Sequence, residues 1–203
     1  MQLKYEYFLF DLDGTLIDTT RIVEKVWEKW CQNVDINYHH IKECCHGVRG
    51  KDIIRQFFPE ADVYKELKWL EDKEIELSPL ANEIFGAKHF LLSLPPMNWG
   101  IVTSSTNKVA ISKLKACNLP IPRLLISSED CKRGKPHPEP YLNALKILNI
   151  HPSNCLVFED SDAGIESAYN AGCKVIKVNG NNIHKSRSLI SIQDYSFINN
   201  NMG

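Results

Sequence analysis

Short apolar runs alternate along the chain with stretches whose apolar residues recur every three or four positions, and this alternation sets the expected architecture. Residues 5–10, 99–102, 124–126, 156–158 and 175–178 form near-continuous apolar runs, the pattern of parallel strands buried on both faces. Helical spacing follows at residues 109–117, 139–148 and 164–171. Strands alternating with helices predict an α/β protein built on a Rossmann-like doubly wound parallel sheet.

Between about Thr19 and Glu83 the alternation stops. Residues 22–31, 41–45, 51–58 and 63–77 carry helical patterns, Pro59 separates two of them, and Pro79 marks the return toward the sheet. The expected organisation is an α/β core from residues 1–17 and 84–203 with a helical module, residues 18–83, inserted into it. The mixed charges of residues 65–74, around Leu67, Leu70 and Leu77, read as a solvated helix face. Beyond Asn179 the chain is rich in Asn and Ser, and only residues 189–192 and Phe197 with Ile198 can pack. That composition predicts a loosely attached tail with no catalytic role.

Composition narrows the partners. With 203 residues, 43% of them hydrophobic, the chain can bury a sizeable core. Its 24 basic and 25 acidic residues leave a net charge of −1, so no excess of positive charge is available to hold a nucleic acid or a membrane surface. No apolar stretch approaches the ~20 residues that cross a bilayer, and no basic segment followed by an apolar one opens the chain. Seven cysteines without C-x-x-C spacing fit a reducing cytoplasm. The vicinal Cys44 and Cys45 read as small packed side chains rather than a redox pair. His39, His40, His89, His137, His151 and His184 show no ligand spacing and are given no site.

Reactive groups in open parallel sheets gather outside the carboxyl ends of the strands. Asp11-Leu12-Asp13-Gly14-Thr15 follows the first run, Thr103-Ser104-Ser105 the second, Arg133-Gly134-Lys135-Pro136 the third, and Glu159-Asp160-Ser161 the fourth. Asp11 and Asp13, two apart, aim to one side of an extended strand, and Gly14 permits the turn that follows. By itself D-x-D-G also describes a turn closed by an Asx hydrogen bond. Carboxylates converging from two strands repel one another, and a divalent cation resolves the conflict. Hard oxygens favour Mg²⁺, with Asp11, Asp13 and Asp160 as contacts and Glu159 near the same shell. Lys135 can hold a phosphate and offset the carboxylates, while Thr103, with Ser104 beside it, can donate to phosphoryl oxygens. A lone Lys before Pro, or a Ser/Thr run before a helix, says little. The four segments together, each at a strand end, point to a site for a small phosphorylated metabolite.

These segments resemble the four motifs of the haloacid dehalogenase superfamily, in the branch whose helical cap is inserted after the first motif. The resemblance runs from residue 8 to about 178. F-D-L-D-G-T is its most specific piece, R-G-K-P-H-P-E-P-Y and V-F-E-D-S-D-A-G-I support it, and I-V-T-S-S-T is the loosest. It implies that Asp11 attacks phosphorus to form an aspartyl-phosphate, with Mg²⁺ held by Asp11, the backbone carbonyl of Asp13, and Asp160. It also implies that Asp13 protonates the leaving alkoxide and then takes a proton from water, while Thr103 and Lys135 stabilise the phosphoryl oxygens. In the inserted module, the loop from His46 through Gly47, Val48, Arg49 and Gly50 to Lys51 resembles the H-G-x-R segment of relatives acting on sugar and polyol phosphates. His46 and Arg49 are therefore candidate substrate contacts, and an interhelix loop with exposed basic residues is the alternative.

The expected activity is Mg²⁺-dependent hydrolysis of a small phosphomonoester, such as a sugar or polyol phosphate. One rival is a phosphomutase on the same scaffold. Mutases of this branch carry a histidine soon after the D-T that follows the first motif, and Asp18-Thr19-Thr20-Arg21-Ile22-Val23 has none. The other rival is a non-catalytic, phosphate-responsive interaction module, against which the intact Asp11, Asp13, Lys135 and Asp160 count.

Overall fold

The computed structural model describes residues 5–42, 44–179 and 190–199. From β1 (Tyr7–Phe10) the chain passes to the short β2 (Ile17–Asp18), then through three helices, α1 (Thr20–Asn33), α2 (Gly50–Phe57) and α3 (Val63–Leu77). It returns through β3 (Asn82–Glu83), which pairs antiparallel with β2. There follow α4 (Ala87–Ser93), β4 (Trp99–Val102), α5 (Asn107–Ala116), β5 (Leu124–Ile126), α6 (Glu139–Leu148), β6 (Cys155–Glu159) and α7 (Asp162–Asn170). The described residues close with β7 (Lys174–Val178), β8 (Ile190–Ile192) and the single turn α8 (Ser196–Asn199).

Six strands form one parallel sheet in the order β5-β4-β1-β6-β7-β8, the doubly wound arrangement expected from the sequence. Strand order reverses at β1, which lies between β4 and β6, and a crevice opens at the carboxyl ends of such a switch point. Alternation along β1 supplies both faces of the core. Phe10 stacks on Phe158 at 4.8 Å and meets the edge of Phe90 from α4, while Leu9 faces the opposite layer with Tyr141 and Ala144 of α6 and Ile165 of α7. In the inserted helices, Trp27 and Trp30 of α1 meet edge to face at 5.4 Å and bury with Ile53 and Ile54 of α2 and Leu70 of α3. The hydrophobic cluster that holds them continues into the layer of Phe8 and Phe10, so inserted helices and sheet share packing.

Four expectations need correction. The described residues among 41–45 form no α-helix: after a 3₁₀ turn at Tyr38–His40, the Cys45 amide donates to the Ile41 carbonyl. One turn does not offset the cost of helix nucleation, and Gly47 turns the chain at φ +75° two residues later. The tail is not loose where it is described. Ile190 and Ile192 pair with Ile176 and Val178 as the sixth strand, and Tyr195 buries completely against Phe10, Phe90 and Phe158. His184 and Leu189 lie outside the described residues. The third correction is α4, whose Ala87, Phe90 and Leu91 cover the sheet and which the sequence pattern did not announce.

Residues 65–74 are the fourth, being only partly a solvated face. Lys68 and Asp72 pair in solvent, whereas Glu66 accepts from the Trp30 indole at 2.8 Å and Glu71 accepts from the Thr106 hydroxyl at 2.9 Å. Cys44 and Cys45 each donate a thiol to a carbonyl one turn back, and none of the seven cysteines is in a disulfide. Among the described residues, no helix is long and apolar enough to cross a membrane.

Candidate active site

The loop leaving β1 delivers Asp11 directly beside β6, its amide donating to the Phe158 carbonyl at 2.9 Å. Lys135, only 2% exposed, reaches Asp11 Oδ1 at 2.6 Å, Glu159 Oε1 at 2.5 Å and the Val102 carbonyl at 2.9 Å. One ammonium thus ties together the ends of β1, β4 and β6. Tyr141 donates to the same Glu159 oxygen at 2.8 Å, and the Ser161 hydroxyl donates to Oε2 at 3.2 Å. Asp160 accepts from the Thr15 hydroxyl at 3.1 Å. The turn at Gly14 makes this proximity possible: its φ is +79°, and a Cβ there would stand 2.1 Å from Asp160 Oδ2.

Asp13 occupies a different environment. Its Oδ1 accepts from the Thr19 hydroxyl and from Lys113 Nζ, each at 2.6 Å, and its Oδ2 accepts from the Ser105 hydroxyl at 2.8 Å. Burial pushes its pKa up, but the Lys113 ammonium and the three donated bonds outweigh burial and hold the carboxyl below its ordinary value. Asp11 moves the other way. Burial, with Glu159, Asp160 and Asp13 nearby, raises it well above the usual carboxylate range against the pull of Lys135. Asp160 is pushed up to about 7, by burial first and then by Glu159.

These shifts express an excess of negative charge. Asp11, Glu159 and Asp160 can each offer an oxygen, all within 4.8 Å of one another, and one Lys135 ammonium does not neutralise three carboxylates. Hard oxygen donors at this density fit a small divalent cation. Glu159 already accepts from Lys135, Tyr141 and Ser161, which leaves Asp11 and Asp160 as the better direct ligands.

Above the carboxylates lies a cavity of about 430 Å³ lined from both sides, by Asp11, Asp13, Asp160 and Thr103 below and by His46 and Trp27 above. Thr103 is buried, its Oγ1 accepting from the Ser105 amide at 3.1 Å. Ser104 also lines the cavity, and its hydroxyl donates to the Gly47 carbonyl at 2.7 Å. His46 stands 3.6 Å from Glu24.

Arg49 lines the same cavity but is not the exposed loop cation of the alternative reading. It is 4% exposed, pairs with Asp52 through Nε at 2.7 Å, and donates to the carbonyls of Cys131 at 2.8 Å and Lys132 at 3.1 Å. Lys51 adds a bond to the Ser128 carbonyl at 3.3 Å. The loop 46–51 is therefore clasped to the core beyond β5. Sequence reasoning missed Lys113, Glu74, Thr19 and Ser105 around Asp13, and Tyr141 behind Glu159. For Lys113 a signal existed, since it shares one face of α5 with the buried Val109, Ala110 and Leu114.

A parallel sheet whose switch point gathers Asp11, Asp13, Lys135 and Asp160 under a helical insertion defines a haloacid dehalogenase-like hydrolase, and the chain belongs to that family, whose model matches residues 8–178. It is 37% identical over 182 residues to hexitol phosphatase A of Escherichia coli (strain K12), covering 87% of this chain and 84% of that one. It is 32% identical to 2-deoxyglucose-6-phosphate phosphatase 1 of Saccharomyces cerevisiae, covering 84% and 78%. The fold matches the crystal structure of a hydrolase from Pseudomonas syringae at a TM-score of 0.83, with 24% identity and 96% of both chains covered. The chain is an enzyme, a phosphoric monoester hydrolase of the haloacid dehalogenase type.

Proposed function

We propose that this enzyme hydrolyses a small sugar or polyol phosphate with Mg²⁺ at Asp11, Asp160 and the Asp13 carbonyl, by way of an aspartyl-phosphate on Asp11. The observation that carries the reading is the convergence of Asp11, Lys135, Asp160 and Asp13 beneath one small cavity. The names of the two curated relatives, a hexitol phosphatase and a 2-deoxyglucose-6-phosphate phosphatase, support the substrate class.

Asp11 brings an anionic oxygen to phosphorus; its bond to phosphorus forms as the bond to the leaving alkoxide breaks. In this reading Lys135, held by Asp11, Glu159 and the Val102 carbonyl, balances charge on the phosphoryl oxygens, and Thr103 donates to one of them. Asp13, which must first take up a proton against the pull of Lys113, gives that proton to the alkoxide; as the carboxylate so restored, it takes a proton from the water that cleaves the acyl phosphate. Asp11, Asp160 and the Asp13 carbonyl would hold the Mg²⁺, which would supply the positive charge that lets an anionic phosphate approach three carboxylates. Residues 18–83 act as a cap that chooses what enters, with His46 at its contact with the substrate. The seven thiols, none in a disulfide, accord with work in the reducing cytoplasm.

A panel of hexitol, hexose, glycerol and short-acid phosphates, assayed for phosphate release, tests this. Hexitol and hexose phosphates should turn over fastest, a chelator should stop the reaction, and Mg²⁺ should restore it. Release from none of them, or release indifferent to the chelator, would contradict the proposal.

A further inference from the structure

Lys113 lies in α5 with its side chain fully buried and its Nζ shared between the two halves of the molecule. It stands 2.6 Å from Asp13 Oδ1 on the catalytic loop, 2.6 Å from Glu74 Oε2 on α3 of the cap, and 3.5 Å from the Ser105 hydroxyl. An ammonium has three protons to donate, and these three oxygens take them. Glu74 is itself mostly buried, and α3 packs directly on α5.

We propose that Lys113 is a positioning residue for Asp13, and that Glu74 makes this positioning depend on the cap being seated. A buried cation whose partners come from two modules leaves an uncompensated charge when either is withdrawn, so the arrangement is strongly favoured only when complete. Asp13 is gripped from three directions: Thr19 at the entry to α1, Ser105 on the loop after β4, and Lys113. Of these, the Lys113 contact is the one that a cap carboxylate shares. Lifting α3 would remove Glu74, leave Lys113 with Asp13 and water, and loosen the geometry that proton transfer requires. Turnover would then be confined to the seated cap, with the phosphoenzyme spared idle reaction while the cavity is open.

The inference rests on the phosphatase reading, and kinetics with two substrates separates the two. Glu74→Gln and Lys113→Met are compared with wild type, with a thermal melt to establish folding. Steady-state turnover of an alkyl phosphate should fall roughly ten- to a hundredfold in each, the scale of losing an aligned acid and base. An aryl phosphate should behave differently in its two phases. The initial burst of aryl alcohol, which requires Asp11 but little protonation of the leaving group, should keep its rate within about twofold, while later turnover, which needs Asp13 as base, slows with the alkyl reaction. Combining the two substitutions should cost little more than Lys113→Met alone, because both break one linkage. If Lys113→Met does not fold, Glu74→Gln carries the test. A burst slowed in proportion to turnover would overturn the proposal in favour of a merely structural role, as would unchanged turnover in folded Glu74→Gln. Absence of phosphate release in wild type would instead defeat the phosphatase reading.

Discussion

Arg49→Ala should weaken the seating of the cap on the core and so lower activity on every substrate alike. The guanidinium crosses from the cap to the carbonyls of Cys131 and Lys132 at 2.8 and 3.1 Å, while its remaining contact, Asp52, lies on its own module. Hydrogen bonds from a charged donor contribute about 1.5–3 kcal/mol each, so the low end for two is about 3 kcal/mol. At about 1.4 kcal/mol per tenfold, that shifts the seated population roughly a hundredfold. The bonds of Lys51 to Ser128 and Ser104 to Gly47 remain, so kcat/KM should fall by about one to two powers of ten rather than more. The assay is kcat/KM on a hexitol phosphate and on an aryl phosphate. The two losses should agree within about threefold, because the clasp touches neither leaving group, and Arg49→Lys should recover only part, lacking the fork that reaches two carbonyls. A loss confined to the hexitol phosphate would refute the clasp and return Arg49 to direct contact with substrate. No loss on either would show that the clasp does not limit turnover.

Tyr195→Ala should cost about 3–5 kcal/mol of stability in a denaturant titration, since the ring is fully buried in the aromatic layer against Phe90. Tyr195→Phe should cost about 1 kcal/mol through the lost bond from its hydroxyl to the Thr15 carbonyl. Metal-free protein should lose thermal stability as pH rises from about 4 to 7, because Asp160 has a folded pKa of about 7 against an ordinary 3.8 and the folded state therefore binds the extra proton. Mg²⁺ should reduce that slope and raise Tm most at the alkaline end, and Asp160→Ala should abolish the rise; a Tm indifferent to Mg²⁺ at pH 8 would contradict a cation at this cluster.

The parts of the fold that were legible are those whose pattern is local. Buried parallel strands read as apolar runs of three to six residues, and the groups that follow them land together because such strands all deliver their carboxyl ends to one edge. The convergence of Asp11, Asp13, Lys135 and Asp160 was legible for that reason. The bonds of Arg49 to the core were not legible because its acceptors, the carbonyls of Cys131 and Lys132, are 82 and 83 residues away and carry no side-chain signature. Lys113 was hidden among the charges of α5, although its place on the apolar face marked it as a cation needing buried partners. The tail was misread from composition: Ile190, Ile192 and Tyr195 suffice to add a strand and an aromatic plug, whatever the polarity of the residues around them.

The most direct test of the account is an acid quench during turnover, followed by mass spectrometry of the peptide that contains Asp11. Wild type mixed with a hexitol phosphate and Mg²⁺ should carry one phosphoryl group on Asp11, held as an acyl phosphate that hydroxylamine removes, and Asp11→Asn should carry none while retaining the wild-type melt. Phosphate release by an Asp11→Asn protein free of contaminating phosphatase, or a phosphoryl group trapped on another residue, would contradict the assignment of Asp11 as nucleophile.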